Sequence, residues 1–177
     1  MKDLTAFVRE VVMPAGPDRV PCIRPECAMY SLRPGRSPIH EWGVYACEPI
    51  PARRRVIEYT GQRIDYKEVW RRRIRPHVYI FLTGPGRAVD GAIGGSGAEF
   101  INHSCEPNLY ATIRRGRIWF VSKRRIKAGE ELSVDYNITG SDLLYECRCG
   151  APTCRGYLNR LQAEKPAKPG SDQLSSS

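Results

Sequence analysis

Glu99-Phe-Ile-Asn-His-Ser-Cys-Glu-Pro-Asn108 is the stretch on which the reading of this chain turns. It sets the polar triplet Asn102-His103-Ser104 directly behind Phe100 and Ile101, two residues expected to be buried. Cys105 follows, then Pro107-Asn108, a turn signal. Buried backbone beside concentrated hydrogen-bonding capacity is how a protein builds a small-molecule site. Taken alone, the triplet also reads as a strand that ends in a polar turn. Two further segments shift the balance: Glu130-Glu-Leu-Ser-Val-Asp-Tyr-Asn137 and, beyond it, Cys147-x-Cys149-x4-Cys154.

The cysteines point to a metal. Cys147, Cys149 and Cys154 bring three thiols into eight residues, in a loop that Gly150 and Pro152 let wrap around a small ion. Structural zinc takes four ligands in a tetrahedron, and Cys105 is the natural fourth. A cluster of unligated thiols is the alternative. In this order the three segments resemble the signature of the SET-domain protein-lysine N-methyltransferases with a post-SET zinc-binding loop, over roughly residues 30–160. The resemblance implies the same four zinc ligands, Cys105, Cys147, Cys149 and Cys154. It also implies a mostly β fold of several short curved sheets with few short helices, in which the two motif segments cross in a knot-like way. Local connection rules alone argue against such a crossing.

Further roles follow from the resemblance. Asn102 and His103 are implied to bind S-adenosylmethionine (SAM), with Trp42 and Gly43 as a second cofactor stretch and Tyr79 and Leu158 packing around it. Two positions depart from the family's pattern and both are acidic: Glu41 stands where a glycine is usual, and Glu99 where an arginine often precedes Phe-Ile-Asn-His-Ser. Tyr136, in Glu-Leu-x-x-Asp-Tyr, matches the catalytic tyrosine, and Tyr59 a second tyrosine lining the lysine channel. Presenting a lysine of pKa roughly 10.4 as a neutral amine at pH 7 costs about 4–5 kcal/mol in water. A narrow aromatic channel lowers that cost by disfavouring the ammonium. Val134 and Ala111, at positions that tune product in relatives, are small, so a pocket that admits more than one methyl group is expected.

A chain of 177 residues, 41% hydrophobic and 27% charged, fits a single globular domain with short attachments. No apolar run approaches the length of a membrane span. The opening residues, interrupted by Asp3, Arg9 and Glu10, do not read as a signal peptide. An odd count of seven cysteines, four in a metal-like pattern, favours a reducing, intracellular compartment over a disulfide framework. Cys22 and Cys27 read as free or buried thiols rather than half of a second metal site.

A net charge of +9 favours acidic partners. The cations fall in clusters at Arg53–Arg55, Arg71–Arg73 with Arg75, Arg114–Arg115 with Arg117, and Lys123–Arg125 with Lys127. Each singly reads as a solvated edge; together they make a DNA contact an expectation. A cationic enzyme repels a free cationic tail, and a substrate already seated on DNA relieves that conflict. The expected partner is therefore a protein carrying a target lysine, histone or histone-like, associated with chromatin or a nucleoid.

Along the chain, residues 1–29 form an N-terminal flank, with helical spacing over 1–12. Residues 30–137 form the SET domain, 143–160 the zinc loop and 161–177 a disordered tail. Short strands are expected at 44–46, 55–59, 78–82, 89–90 and 131–136, and a hairpin over 109–122 around Arg115-Gly116. A capping box at Asp65 and Glu68 predicts a three-turn helix to Pro76. The leading function is SAM-dependent methylation of a protein lysine. A catalytically silent SET module that binds peptide or nucleic acid is the alternative, and a zinc-stabilised nucleic-acid binder indifferent to SAM is a third.

Overall fold

A computed structural model describes residues 21–75, 77–139 and 144–160. The expected helix over 1–12 and the tail over 161–177 lie outside the described residues. The strands are β1 Leu32–Arg36, β2 Trp42–Ala46, β3 Arg55–Tyr59, β4 Gln62–Asp65, β5 Ile80–Gly84, β6 Arg87–Asp90, β7 Asn102–His103, β8 Leu109–Arg114, β9 Arg117–Ser122 and β10 Ser133–Val134. Helix α1, Tyr66–Arg72, sits between β4 and β5. Four small sheets result, with strand orders β1-β2, β4-β6-β5, β3-β9-β8 and β7-β10, so the mostly β, many-sheeted expectation holds. No helix among the described residues is long and apolar enough to cross a membrane.

The β3-β9-β8 sheet forms where β-branched and aromatic residues concentrate, in Val56-Ile57 and Ile118-Trp-Phe-Val121. β9 lies between its two neighbours, and its continuous apolar run is buried from Ile118 to Ser122. Arg115 and Gly116 both take positive φ (51° and 74°), the two-residue turn that matches strand twist and closes the β8-β9 hairpin. Val44, Ile50, Leu109, Ile126 and Leu132 pack with these residues into one core. The flank is bound to this body from Arg24 onward. Arg24 N–H donates to the Ser96 carbonyl (2.9 Å), Met29 N–H to that of Val56 (2.8 Å), and Ala28 bridges Ile57.

Several expectations shift. Asp65 caps α1 by accepting from Glu68 N–H at 2.8 Å, but the Glu68 carboxylate turns to Arg71 and Arg72 instead of closing the box. The helix ends after two turns, at Arg72, where Arg72 and Arg75 both reach the fully buried Asp90 at 2.8 Å. The strand expected at 78–82 starts instead at Ile80 and runs through Thr83 and Gly84, leaving only Pro85-Gly86 as the turn. The strand expected over 131–136 contracts to Ser133–Val134, since only these two residues pair with β7 and Glu131 makes an isolated bridge to Tyr45. β1 and β4 were not anticipated. β1 carries Pro34 and Gly35, and as one edge of a two-stranded sheet it tolerates them.

Candidate active site and metal centre

The site is assembled by two short strands far apart in sequence. β7 and β10 pair in parallel, with Asn102 opposite Ser133 and His103 opposite Val134. That pairing delivers Tyr136, two residues past β10, to the His103 ring. Tyr136 N–H donates to His103 Nδ1 at 3.1 Å, and the two rings meet edge-on at 5.3 Å. The Tyr136 hydroxyl donates to the carbonyl of buried Ile101 at 3.1 Å. Tyr136 as a whole is 44% exposed, while its hydroxyl is held on the inner Ile101 carbonyl. Burial, then the nearby Tyr79, pushes the phenol well above its ordinary value.

His103 is 2% exposed, and burial draws its pKa down to about 4, so the imidazole is neutral near pH 7. Since Nδ1 accepts from Tyr136, the proton sits on Nε2, which lies 3.5 Å from Cys105 Sγ. Asn102 is turned inward. Its Nδ2 donates to the Trp42 carbonyl (2.9 Å) and to Glu131 Oε1 (2.9 Å). Glu131 also accepts from Ser37 Oγ (2.8 Å) and the Tyr45 hydroxyl (3.2 Å), so one carboxylate fastens the β1-β2 hairpin to β7. A Cβ at Gly43 would come within 2.3 Å of Glu131 Oε1, so a side chain there would displace the carboxylate that Asn102, Ser37 and Tyr45 share. Trp42 is half-buried and carries the Arg36 guanidinium over its ring at 4.3 Å.

Tyr59 is buried behind this wall. Its hydroxyl donates to the Tyr79 carbonyl at 2.6 Å, and its ring packs on Phe81 and Phe120 at 5.5 and 5.9 Å. Tyr59 therefore sets the position of Tyr79 as well as lining an aromatic wall. Gly91 permits this approach, since a Cβ there would meet the Tyr59 hydroxyl at 2.7 Å. Tyr79 packs against Phe100 (5.4 Å), and burial with the nearby Glu41 and Glu99 pushes its phenol up to about 12. A cavity of about 190 Å³ is lined by Tyr79, Phe100, Glu99, Gly91, Cys22 and Arg24, among others; Asn102, His103 and Tyr136 do not line it. Val134 is buried opposite His103, and Ala111 is half-buried.

The four expected metal ligands converge. The Sγ atoms of Cys105, Cys147, Cys149 and Cys154 lie within 4.8 Å of one another, with Cys105 3.8 Å from Cys147 and 3.9 Å from Cys154. A tetrahedron with Zn–S bonds of about 2.3 Å requires sulfurs roughly 3.8 Å apart. The donor set therefore fits zinc. Burial opposes ionisation at Cys105, Cys147 and Cys149. It pushes Cys147 up to about 12, while at Cys149 the N–H groups of Cys105 and Ala151, with the neighbouring thiols of Cys147 and Cys154, overcome it and bring the thiol down to about 6. Cys22 and Cys27 take no part in the cluster; Cys22 is exposed and Cys27 buried.

Three residues that hold the candidate site together escaped the sequence reading: Glu131, Asp135 and Arg155. Arg155 follows Cys154, and its N–H donates to Cys105 Sγ at 3.5 Å. Its guanidinium forks onto Asp135 at 2.8 and 3.1 Å and also holds the carbonyls of Leu158 and Asn159. Arg160 adds a second pairing to Asp135 at 2.8 Å. Together these hydrogen bonds hold the Asp135 carboxyl well below the usual carboxylate range, against the cost of its burial. Leu158 is half-buried and placed by this clamp and by its N–H to the Tyr145 carbonyl (2.8 Å). The available signal was adjacency: Asp135 immediately precedes Tyr136, and Arg155 immediately follows Cys154.

Residues 41–137 match the family model described as the SET domain, and the chain belongs to the SET-domain family. Among curated relatives, it is 40% identical over 134 residues to "Histone-lysine N-methyltransferase set-2" of Caenorhabditis elegans, covering 70% of this chain and 9% of that protein. It is likewise 40% identical over 140 residues to "Histone-lysine N-methyltransferase SETD1A" of Homo sapiens, covering 72% and 8%. Identity is 39% over 138 residues to "Histone-lysine N-methyltransferase, H3 lysine-4 specific" of Candida albicans, covering 70% and 13%. The chain thus spans a small part of each relative's length. Among solved structures, KRYPTONITE in complex with mCHG DNA and SAH aligns with a TM-score of 0.65 at 32% identity, covering 74% of this chain and 29% of that one. KRYPTONITE with mCHH DNA, an H3(1-15) peptide and SAH aligns with a TM-score of 0.62 at 30% identity, covering 74% and 30%.

Proposed function

We propose that this chain is a SAM-dependent protein-lysine N-methyltransferase that acts on a histone or a histone-like, DNA-associated protein. The observation that carries the reading is Tyr136, held by its backbone to His103 and by its hydroxyl to Ile101, beside a four-thiol cluster. The names of the relatives support a histone lysine as acceptor, and the SAH in both KRYPTONITE complexes supports SAM as donor.

SAM, when bound, supplies an electrophilic methyl on a sulfonium. The backbone of Trp42, Gly43, Asn102 and His103, with the Tyr79 ring and Leu158, would hold it. The Asn102 amide is committed to the Trp42 carbonyl and Glu131, so its share in binding falls to the backbone. Glu41 and Glu99, both close enough to raise Tyr79, give this face a negative potential suited to a cationic ligand. The Tyr136 hydroxyl and the Ile101 carbonyl orient the lysine amine for in-line attack. Tyr59 and Phe81 supply an apolar wall that favours amine over ammonium, so the proton leaves to water before transfer. The four cysteines would hold zinc as a structural ion that keeps residues 144–160 against the site. The thiol-rich centre and the histone-directed relatives together favour an intracellular, chromosome-associated setting.

Radiolabelled methyl transfer to histones and to an H3 peptide tests the reading. Wild type is expected to label a lysine, and Tyr136→Phe to lose about 100-fold or more in rate through misplacement of the amine. Absence of transfer by zinc-loaded wild type to any lysine substrate would leave the silent SET module as the better account.

A further inference from the structure

Two cation runs nearly seventy residues apart in sequence form a single edge. Ile50 and Ile126 exchange both backbone hydrogen bonds at 2.9 Å. Arg53 N–H donates to the Ser122 carbonyl (2.8 Å), Ser122 N–H to the Arg54 carbonyl (2.9 Å), and Ser122 Oγ to the Pro51 carbonyl (2.6 Å). Ser122 is fully buried and rivets the 50–55 turn to the 122–127 loop. Arg53, Arg54, Arg55, Lys123, Arg124, Arg125 and Lys127 are all exposed there.

The Arg71–Arg75 run is held largely from within. Arg72 and Arg75 close on Asp90, Arg71 on Glu68, and Arg73 lies 3.7 Å from the Trp70 ring centroid. Arg117 pairs with Glu58, while Arg114 and Arg115 beside it are exposed and form no ion pair among the described residues; Arg155 and Arg160 pair with Asp135. At the 50–55/122–127 edge, only Arg124 has a carboxylate partner, Glu130 at 2.5 Å, and Arg55 lies over Trp119 at 5.1 Å. Among the described residues, Arg53, Arg54, Lys123, Arg125 and Lys127 form no ion pair. Unpaired like charges gathered on one edge repel one another, and an anionic partner relieves that repulsion. A cationic histone-like tail would be driven away from the same edge.

We propose that this edge grips the phosphate backbone of duplex DNA, holding the protein beside a substrate that is itself on the DNA. The proposal extends the methyl-transfer reading without depending on it, since phosphate binding needs neither SAM nor Tyr136. Nothing at the edge reads bases; contact is through backbone charge, so affinity falls steeply with salt and is indifferent to sequence.

The test is fluorescence anisotropy on a short duplex between about 50 and 200 mM salt. It compares wild type with the quadruple variant Arg53→Gln/Arg54→Gln/Lys123→Gln/Arg125→Gln. The variant Lys67→Gln/Arg87→Gln/Arg114→Gln/Arg115→Gln removes the same charge from exposed positions elsewhere. The edge variant is expected to lose at least about 10-fold in affinity and roughly 3 to 4 from the salt slope, near 0.9 per phosphate contact. The charge-matched control should stay within about threefold of wild type, and duplex RNA of equal length should bind comparably to DNA. Equal loss in both variants would reduce the effect to net charge and overturn the proposal. So would failure of wild type to bind DNA at low salt, or a strong preference for RNA. Methylation of a free cationic peptide by the edge variant should not fall below wild type. If no protein is methylated by wild type while the edge still binds DNA, the enzymatic reading fails and this one stands.

Discussion

In the β3-β9-β8 sheet, Val56, Ile57, Ile118 and Phe120 are all but removed from solvent. The β7-β10 wall, by contrast, pairs only two residues on each strand. It is held instead by polar links: Asn102 to Trp42 and Glu131, Tyr136 to His103, and Arg155 to Asp135. Apolar burial is non-directional and spreads over many contacts, so a sheet built on it tolerates adjustment. Hydrogen-bonded links are directional, and each one lost leaves a partner buried without compensation. The molecule therefore has a robust body and a site wall whose order rests on a few polar atoms beside a four-thiol cluster that would hold zinc.

Loss of the metal should separate the two regions most sharply. Structural zinc bound by thiolates contributes on the order of 10 kcal/mol or more of apparent binding energy to the segment it orders. Cys105→Ser is expected to abolish stoichiometric zinc, open residues 144–160 to fast hydrogen exchange and eliminate methyl transfer. Amides of β3 and β9 should stay protected. Equal loss of protection in both regions would mean that they form one cooperative unit.

Ile57→Ala acts on the other side of the comparison. Truncating a fully buried isoleucine costs about 2–5 kcal/mol, which denaturant unfolding should register as a lower midpoint. Zinc stoichiometry of the remaining folded fraction should be unchanged. Loss of zinc in that fraction would show that the body and the metal loop are not separable.

Arg155→Ala probes the link itself. It removes the fork on Asp135 next to Tyr136, and outer partners of a metal site typically matter by about 10–100-fold. A fall in kcat of that size with zinc retained is expected, and Arg155→Lys should recover only part of it because an ammonium cannot fork. An unchanged kcat in Arg155→Ala would remove the clamp from the account.

Legibility followed the same division. Strands β3 and β9 and the Arg115-Gly116 turn are written locally, in β-branched runs and a two-residue turn. The clustering of the four cysteines was legible from spacing, and Tyr136, which meets His103, was singled out by family resemblance. The polar partners were not, because Glu131 and Asn102 are 29 residues apart and Arg155 and Asp135 are 20 apart, and periodicity carries no information at that range. The Asp65 cap was visible, but the early end of α1 was not, since Asp90 draws Arg72 and Arg75 from outside the helix. Strand β1 was hidden by Pro34 and Gly35, which read locally as a turn.

Calorimetric titration of SAM into zinc-loaded and zinc-stripped protein tests the central claim most directly, namely that a metal-held wall completes a methyl-donor site. The account predicts a Kd of roughly 1–10 µM, about −7 to −8 kcal/mol, for the zinc-loaded form and much weaker binding once zinc is removed. Absence of SAM binding by folded, zinc-loaded protein would contradict it.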